Sequence, residues 1–199
     1  MTTRERIVRA AAAAFAQRGY RAATVREICR RARVNVAAVN YHFGGKRALY
    51  QAVFAYLFTA TADQDLLLGA PPPDSGQAAW RGFLGDWVRA MVAATTRPPP
   101  LEELKLRLLC REMLDPSEVF PELYAAYMEP RIGILKRGFS AALPTPLPER
   151  ELAIRIFAVL AQGLFYFQYR PLIAAARPGK GFPDRDVEAI AAAIVHNVL

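Results

Sequence analysis

The stretch 24–50, TVREICRRARVNVAAVNYHFGGKRALY, limits what this chain can fold into more than any other. Thr24 followed by Glu27 spells a capping box, in which each side chain satisfies the other residue's orphan backbone N–H. Behind it Val25, Ile28, Cys29 and Ala32 recur at i, i+3, i+4 and i+7, the apolar face of a short helix. Asn35 offers a second N-cap, opening Val36–His42, with Val39 and Phe43 spaced to pack on the first helix. Two short helices separated by Arg33, Val34 and Asn35 make a helix-turn-helix. The second helix of such a unit lies in the DNA major groove.

The side chains on the side away from Val39 and Phe43 are Ala37, Ala38, Asn40, Tyr41 and His42. Asn pairs with adenine N6 and N7 and Ala touches the thymine methyl, while Tyr and His reach phosphate oxygens. Gly44, Gly45 and Lys46 open the next helix with free N–H groups and an ammonium, an anion site that suits a DNA phosphate. It is not a nucleotide P-loop, because the second half of that motif and a preceding strand are missing. Thr24 is a cap and a further phosphate donor.

Charge agrees. Residues 1–50 carry eleven basic side chains against Glu5 and Glu27, about +9 of a net +8, which leaves the remaining chain near −1. A basic head on a near-neutral body is a nucleic-acid footprint at one end. Hydrophobic residues make up 53% of the chain, which excludes a disordered one, and 199 residues are ample for a buried core. Cys29 and Cys110 read as buried thiols in a reducing compartment. MTTRERIVRA has no apolar run of a signal peptide, and the expected location is the cytoplasm.

In chain order, Thr2 or Thr3 caps a helix through Arg18, with Gly19 as its stop signal. A helix from Lys46 to about Leu68 precedes a Pro-rich break at 69–76. Helices are then expected over 76–96, 101–114, 120–143 with Pro130 a kink or break, 149–170 and 184–199. Period-2 alternation of strand length is absent, so the fold class is all-α: a three-helix N-terminal DNA-binding domain at 1–47 and a helical-bundle domain at 48–199. Leu152–Tyr169 is just long enough for a membrane span, but Arg155, Gln162 and the neutral body favour a helix buried on two faces.

NVAAVNYHFGGKRALY resembles the recognition-helix region of the tetracycline-repressor (TetR/AcrR) family, over roughly residues 4–57. RLLCREMLDPSEVFPELYAAYMEPR and AVLAQGLFYFQYRPLI resemble the C-terminal ligand and dimer domain of CecR-type (CerR-type) regulators, over roughly 80–175. The resemblance implies that Arg26 contacts DNA and that the Lys46 helix connects head to body. It also implies a homodimer through helices 149–170 and 184–199, a pseudo-palindromic operator, and a small-molecule effector. Two residues depart from the family pattern. Asn40 stands where Tyr is more frequent. Arg33 stands where Gly is usual, and a left-handed backbone there costs Arg about 1–2 kcal/mol.

Polar groups interrupting apolar helices give six candidates for the effector site: Arg107, Arg111, Tyr127, Gln162, Tyr166 and Tyr169. Arg107, Arg111 and Glu112 could equally form structural ion pairs between helices. Catalysis is not expected: His42 and His196 lack a neighbouring triad or metal-like spacing, and no cofactor loop follows a strand. No metal or cofactor is implied. The reading is a sequence-specific transcriptional regulator, a repressor released by its effector; the alternative is a non-specific architectural DNA binder.

Overall fold

The computed structural model describes residues 1–61, 69–177 and 181–198, all helix and connection with no strand among them. The helices are α1 Thr3–Ala22, α2 Val25–Ala32, α3 Val36–Phe43, α4 Lys46–Ala60, α5 Gln77–Thr96 and α6 Pro100–Leu114. After them come α7 Phe120–Leu123, a π turn Tyr124–Met128, α8 Glu129–Ala142, α9 Glu149–Gln168, α10 Arg170–Ala176 and α11 Asp184–Val198. The sequence places the end of the Lys46 helix near Leu68, on residues outside those described.

The cap of α1 agrees with the sequence reading, and several later boundaries differ from it. Thr2 and Glu5 form the reciprocal capping box: Thr2 Oγ1 accepts the Glu5 amide at 3.2 Å and the Glu5 carboxylate accepts the Thr2 amide at 2.8 Å. Gly19 interrupts α1 at φ 76°, but one more turn follows before Ala23. The helix over 120–142 runs on through Pro130. A proline there cannot donate to the carbonyl four residues back, and the widened turn 124–128 lies just ahead of it. Pro171 does not end helical structure either. It sits in the first turn of α10, where its missing N–H is no loss.

The chain packs into two compact units, which divide it differently from a single boundary at 47/48. One consists of Met1–Ala62 with Pro100–Tyr127, the other of Asp63–Pro99 with Met128–Leu199.

In the first unit Ile7, Ala11, Phe15, Ile28, Val39, Leu49, Val53 and Leu57 are fully buried, as is Leu108 of α6. Tyr50 lies at its centre, with ring centroids 4.7 Å from Phe15, 4.9 Å from Tyr20 and 5.2 Å from Phe54. Its hydroxyl donates to Glu112 Oε1 at 2.6 Å, and Glu112 Oε2 accepts from the backbone N–H and Oγ of Ser117, each at 2.9 Å. All three residues are buried. Nearby the buried Lys105 donates to Thr61 Oγ1 at 3.0 Å and pairs with Glu102 at 2.9 Å. These charges lie in the interior because their hydrogen-bonding capacity is met there.

The second unit has a core from four helices: Trp80, Leu84 and Val88 of α5, Leu135 and Phe139 of α8, Ile156 and Val159 of α9, and Val187 and Ile194 of α11. Helix α9 buries Leu152, Ile156, Val159, Gly163 and Phe167 at spacings of three and four. It is also long and apolar enough, by length and composition, to cross a membrane. Arg155 within it donates to the Val198 carbonyl at 2.7 Å, tying α9 to the end of α11.

Burial first, and the hydrogen bond to Glu112 next, push the Tyr50 phenol above the ordinary tyrosine range. The native state therefore keeps a proton that the unfolded chain releases above about pH 10, and stability falls as pH rises past that value. Tyr50→Phe orphans Glu112 Oε1, which costs about 1–3 kcal/mol at neutral pH. It also makes the alkaline decline shallower. Urea unfolding of both proteins at neutral and alkaline pH checks both effects.

Candidate nucleic-acid interface

The recognition elements grow out of their caps. Thr24 Oγ1 accepts the Glu27 amide at 3.2 Å and opens α2. The reciprocal half of that box is not made. Glu27 is buried, and its Oε1 instead accepts from Arg31 Nη2 at 2.7 Å and faces Arg18 Nε at 3.4 Å. A carboxylate between guanidiniums on α1 and α2 fixes the two helices together more firmly than a second cap bond would. Arg31 also reaches Gln17 Oε1 on α1 at 2.8 Å. The spacing of Glu27 and Arg31 at i, i+4 carried this signal in the sequence.

The turn closes with Val34 N–H on the Cys29 carbonyl at 3.0 Å and Arg33 N–H on the Arg30 carbonyl at 3.3 Å. This is a Schellman arrangement, and it needs a left-handed residue at its fifth position. Arg33 supplies it at φ 55°, ψ 51°, the one non-glycine residue with positive φ among those described. Asn35 Oδ1 then accepts the Ala38 amide at 2.9 Å and starts α3.

Helix α3 buries Val39 and turns the rest outward: Ala37, Asn40 and Tyr41 are exposed, Ala38 and His42 half-buried. Tyr41 is 86% exposed, an extreme for an aromatic side chain with a ring free to meet a partner. His42 packs edge-on against Tyr41 at 5.1 Å, and the Arg4 guanidinium lies 5.2 Å over Phe43, bracing the end of α3 from α1. Thr24, Arg26, Asn35, Ala37, Asn40 and Tyr41 are thus all exposed on α2, the turn and α3.

Lys46 is placed differently. Its ammonium donates to the Arg21 carbonyl at 3.1 Å and lies 4.8 Å over the Tyr20 ring. Burial lowers its pKa, against a raising influence from Glu118. The backbone just before it is open: Gly44 at φ 79° and Gly45 at φ 148° have no neighbour within 4 Å of where a Cβ would stand.

The basic excess of the head is also sorted by pairing. Arg21 meets Asp115 at 2.9 Å, Arg47 meets Glu122, and Tyr20 donates to Glu118 at 3.1 Å. Segment 115–122 therefore balances charges that sequence counting credits to the DNA face. No local pattern in the sequence reveals this pairing, because the acids lie some seventy to a hundred residues downstream of their partners.

The six residues suggested for an effector fall in different places. Arg107 pairs with Glu103 at 2.9 Å, and Arg111 donates to the Gln17 carbonyl at 3.2 Å. Tyr127 stacks on Phe58 with centroids 4.8 Å apart. These three belong to the first unit; Gln162, Tyr166 and Tyr169 belong to the second. There Gln162 donates to the Ala158 carbonyl of its own helix at 3.1 Å, and Tyr166 and Tyr169 both pack against Phe165. A surface cleft of about 560 Å³ in the second unit, lined by Arg97, Arg177, Phe182 and Arg185 among others, includes none of the six.

Residues 7–53 match the family of bacterial regulatory proteins named for tetR, and residues 81–199 match the C-terminal domain of the HTH-type transcriptional dual regulator CecR. The chain belongs to the TetR family, with a CecR-type C-terminal domain. As a TetR-family member it is a DNA-binding transcription regulator. CecR of Shigella flexneri is 24% identical over 195 residues, covering 94% of this chain and 85% of the relative. Two solved structures share the fold. One is AibR in complex with isovaleryl coenzyme A and operator DNA, at TM-score 0.70 and 20% identity over 99% of this chain and 98% of that one. The other is a candidate fatty acid metabolism regulator of Clostridium perfringens, at TM-score 0.72 and 16% identity over 98% of each chain.

The left-handed Arg33 in this TetR-family turn has a measurable cost. Arg33→Gly removes the Cβ clash at φ 55° and raises stability by about 1 kcal/mol, less what glycine adds to the entropy of the unfolded chain. The midpoint of urea unfolding reads it directly.

Proposed function

We propose that this chain is a sequence-specific repressor that a small-molecule effector releases from its operator. The observation that carries the reading is the capped α2–turn–α3 unit with Asn40 and the 86%-exposed Tyr41 presented outward. In this reading residues 1–47 supply the DNA-binding function, with Thr24, Arg26, Asn35, Ala37, Ala38, Asn40, Tyr41, His42 and Lys46 at the interface. Asn40 and the alanines read base edges in the major groove. The hydroxyls of Thr24 and Tyr41 and the amides at Gly44–Lys46 hold phosphates.

Residues 48–199 carry effector binding and dimerisation, in the cytoplasm, without catalysis. The shared fold with AibR, whose complex holds both isovaleryl coenzyme A and operator DNA, supports a small-molecule effector. Arg107, Arg111, Tyr127, Gln162, Tyr166 and Tyr169 remain the proposed contacts. An effector that binds the DNA-free state more tightly lowers operator affinity by linkage, whatever path the change takes through the protein.

The homodimer is supported by a stripe on α9 and α10 that the second unit leaves uncovered. Ile154, Phe157, Phe165 and Leu172 are 55%, 57%, 44% and 59% exposed. On α11 the exposed Ala189, Ala192 and Ala193 form a small-residue face that permits close helix approach. A second copy fits these faces better than a lipid bilayer, since the opposite face of α9 is committed to a protein core. Two heads related by a two-fold axis then meet a pseudo-palindromic operator.

Fluorescence anisotropy on DNA flanking the gene, against a scrambled duplex across a salt series, tests the regulator reading. Tight, salt-dependent binding to one segment is expected, and Asn40→Ala/Tyr41→Ala abolishes the preference. Equal binding of both duplexes favours the architectural alternative. Phe157→Glu is expected to convert a dimer to a monomer in sedimentation velocity; a wild-type monomer refutes the interface.

A further inference from the structure

Arg33 unites two features that nothing inside the fold accounts for. Its backbone is left-handed, a region glycine enters without steric penalty. Its side chain is exposed, and among the described residues it meets no carboxylate and no hydrogen-bond acceptor. A strained backbone kept at an exposed turn directs attention to what the side chain does there.

Its neighbours define that role. Arg26 and Arg30 precede Arg33 at i, i+4 and i+7, so the three follow one another along one face of α2 into the turn. All three are exposed and free of ion pairs among the described residues. Arg18, Arg21, Arg31 and Arg47 in the same unit each face a carboxylate. Of the other guanidiniums on α1, Arg4 lies over the Phe43 ring, Arg6 donates to Thr3 Oγ1 and Arg9 is exposed without an ion pair among the described residues. The row on α2 is set apart by running into the turn before α3. Seven residues of helix span about 10 Å, long enough for arginine side chains to reach more than one phosphate of a DNA strand. In a helix-turn-helix the helix before the recognition helix crosses the DNA backbone.

We infer that Arg26, Arg30 and Arg33 form a continuous phosphate-binding track, with Arg33 placed at the strained turn position to hold a phosphate beside the start of α3. The guanidinium fork matches two phosphate oxygens and keeps its charge at any physiological pH. The inference rests on the DNA-binding reading and extends it: family resemblance points to Arg26 alone, whereas Arg30 and Arg33 come from exposure, pairing and backbone geometry. Phosphate contacts carry no sequence preference, so the track sets affinity and register while α3 sets specificity.

The test uses the full-length protein and a duplex that it enriches from random-sequence DNA, with a scrambled duplex as control. Binding is measured across a salt series, and melting temperature is recorded for each variant. Arg33→Gly is expected to melt higher than wild type yet bind both duplexes more weakly by a similar factor. The slope of log K against log salt shrinks by about 0.9 for each bound subunit. Arg33→Lys keeps the wild-type slope, and Arg30→Ala loses slope without a gain in melting temperature. Unchanged affinity and slope in Arg33→Gly overturn the inference alone, as does a loss confined to the enriched duplex, which would make Arg33 a base reader. Failure of wild type to enrich any duplex removes the DNA-binding reading and the track together.

Discussion

The first unit is organised around one buried carboxylate. Glu112 lies in an apolar interior because a phenol, a backbone amide and a hydroxyl together take up both of its oxygens. Tyr50 connects that carboxylate to the aromatic centre of α1 and α4, and Ser117 connects it to the turn that follows α6. Removing any one member leaves the others buried with unmet polar groups, so the cluster holds or fails as a whole. Hydrophobic packing alone tolerates sliding of one helix past another. A set of short, directional bonds does not, and this fixes the register in which α6 meets the helices that carry the DNA-binding surface.

Charge is distributed with similar economy. A head of about +9 could bind polyanions without discrimination. Glu27 draws in Arg18 and Arg31, and Asp115 and Glu122 draw in Arg21 and Arg47. Among the described residues, what stays exposed and without a carboxylate partner includes the row Arg26, Arg30 and Arg33 along α2 and its turn, next to the helix that presents Asn40 and Tyr41. Pairing thus thins a diffuse positive field, which favours a defined docking geometry over non-specific attraction.

Much of this was legible in the sequence because it depends on local chemistry. Asn35 and Thr24 cap their helices as the residue types dictate, and the apolar spacing of α5, α6, α9 and α11 gives their extents within a residue or two. Illegible features share a different origin. Glu27 fits a capping box by spacing, yet Arg18 and Arg31 offer its carboxylate a charged partner that a backbone N–H cannot match. Pro171 stands in a first helical turn, where it forfeits nothing, and at Pro130 helical structure continues behind the widened turn 124–128 that accommodates the missing N–H. Nothing in the sequence signals that the Tyr20 ring and the Arg21 carbonyl hold the Lys46 ammonium. Segment 100–127 lies far from the head in sequence, and no periodicity reveals which distant helix will complete a core. The candidate effector residues were the least legible, since an interrupted apolar stripe marks ion pairs and binding sites alike.

That completion from a distance bears on the order in which the protein comes into being. The first unit is discontinuous: 1–62 must wait for 100–127 before Tyr50 finds Glu112 and Lys105 finds Thr61. During synthesis at about 5–20 residues per second, the helix-turn-helix spends several seconds outside the ribosome with its inner surface unfinished. Helices α2 and α3 are made well before the segment that completes their scaffold, which closes only after Tyr127 has emerged. A nascent chain therefore cannot present a finished head until residues through Tyr127 exist. Transplanting the N-terminal segment onto another body would carry the reading helix without the support that orients it.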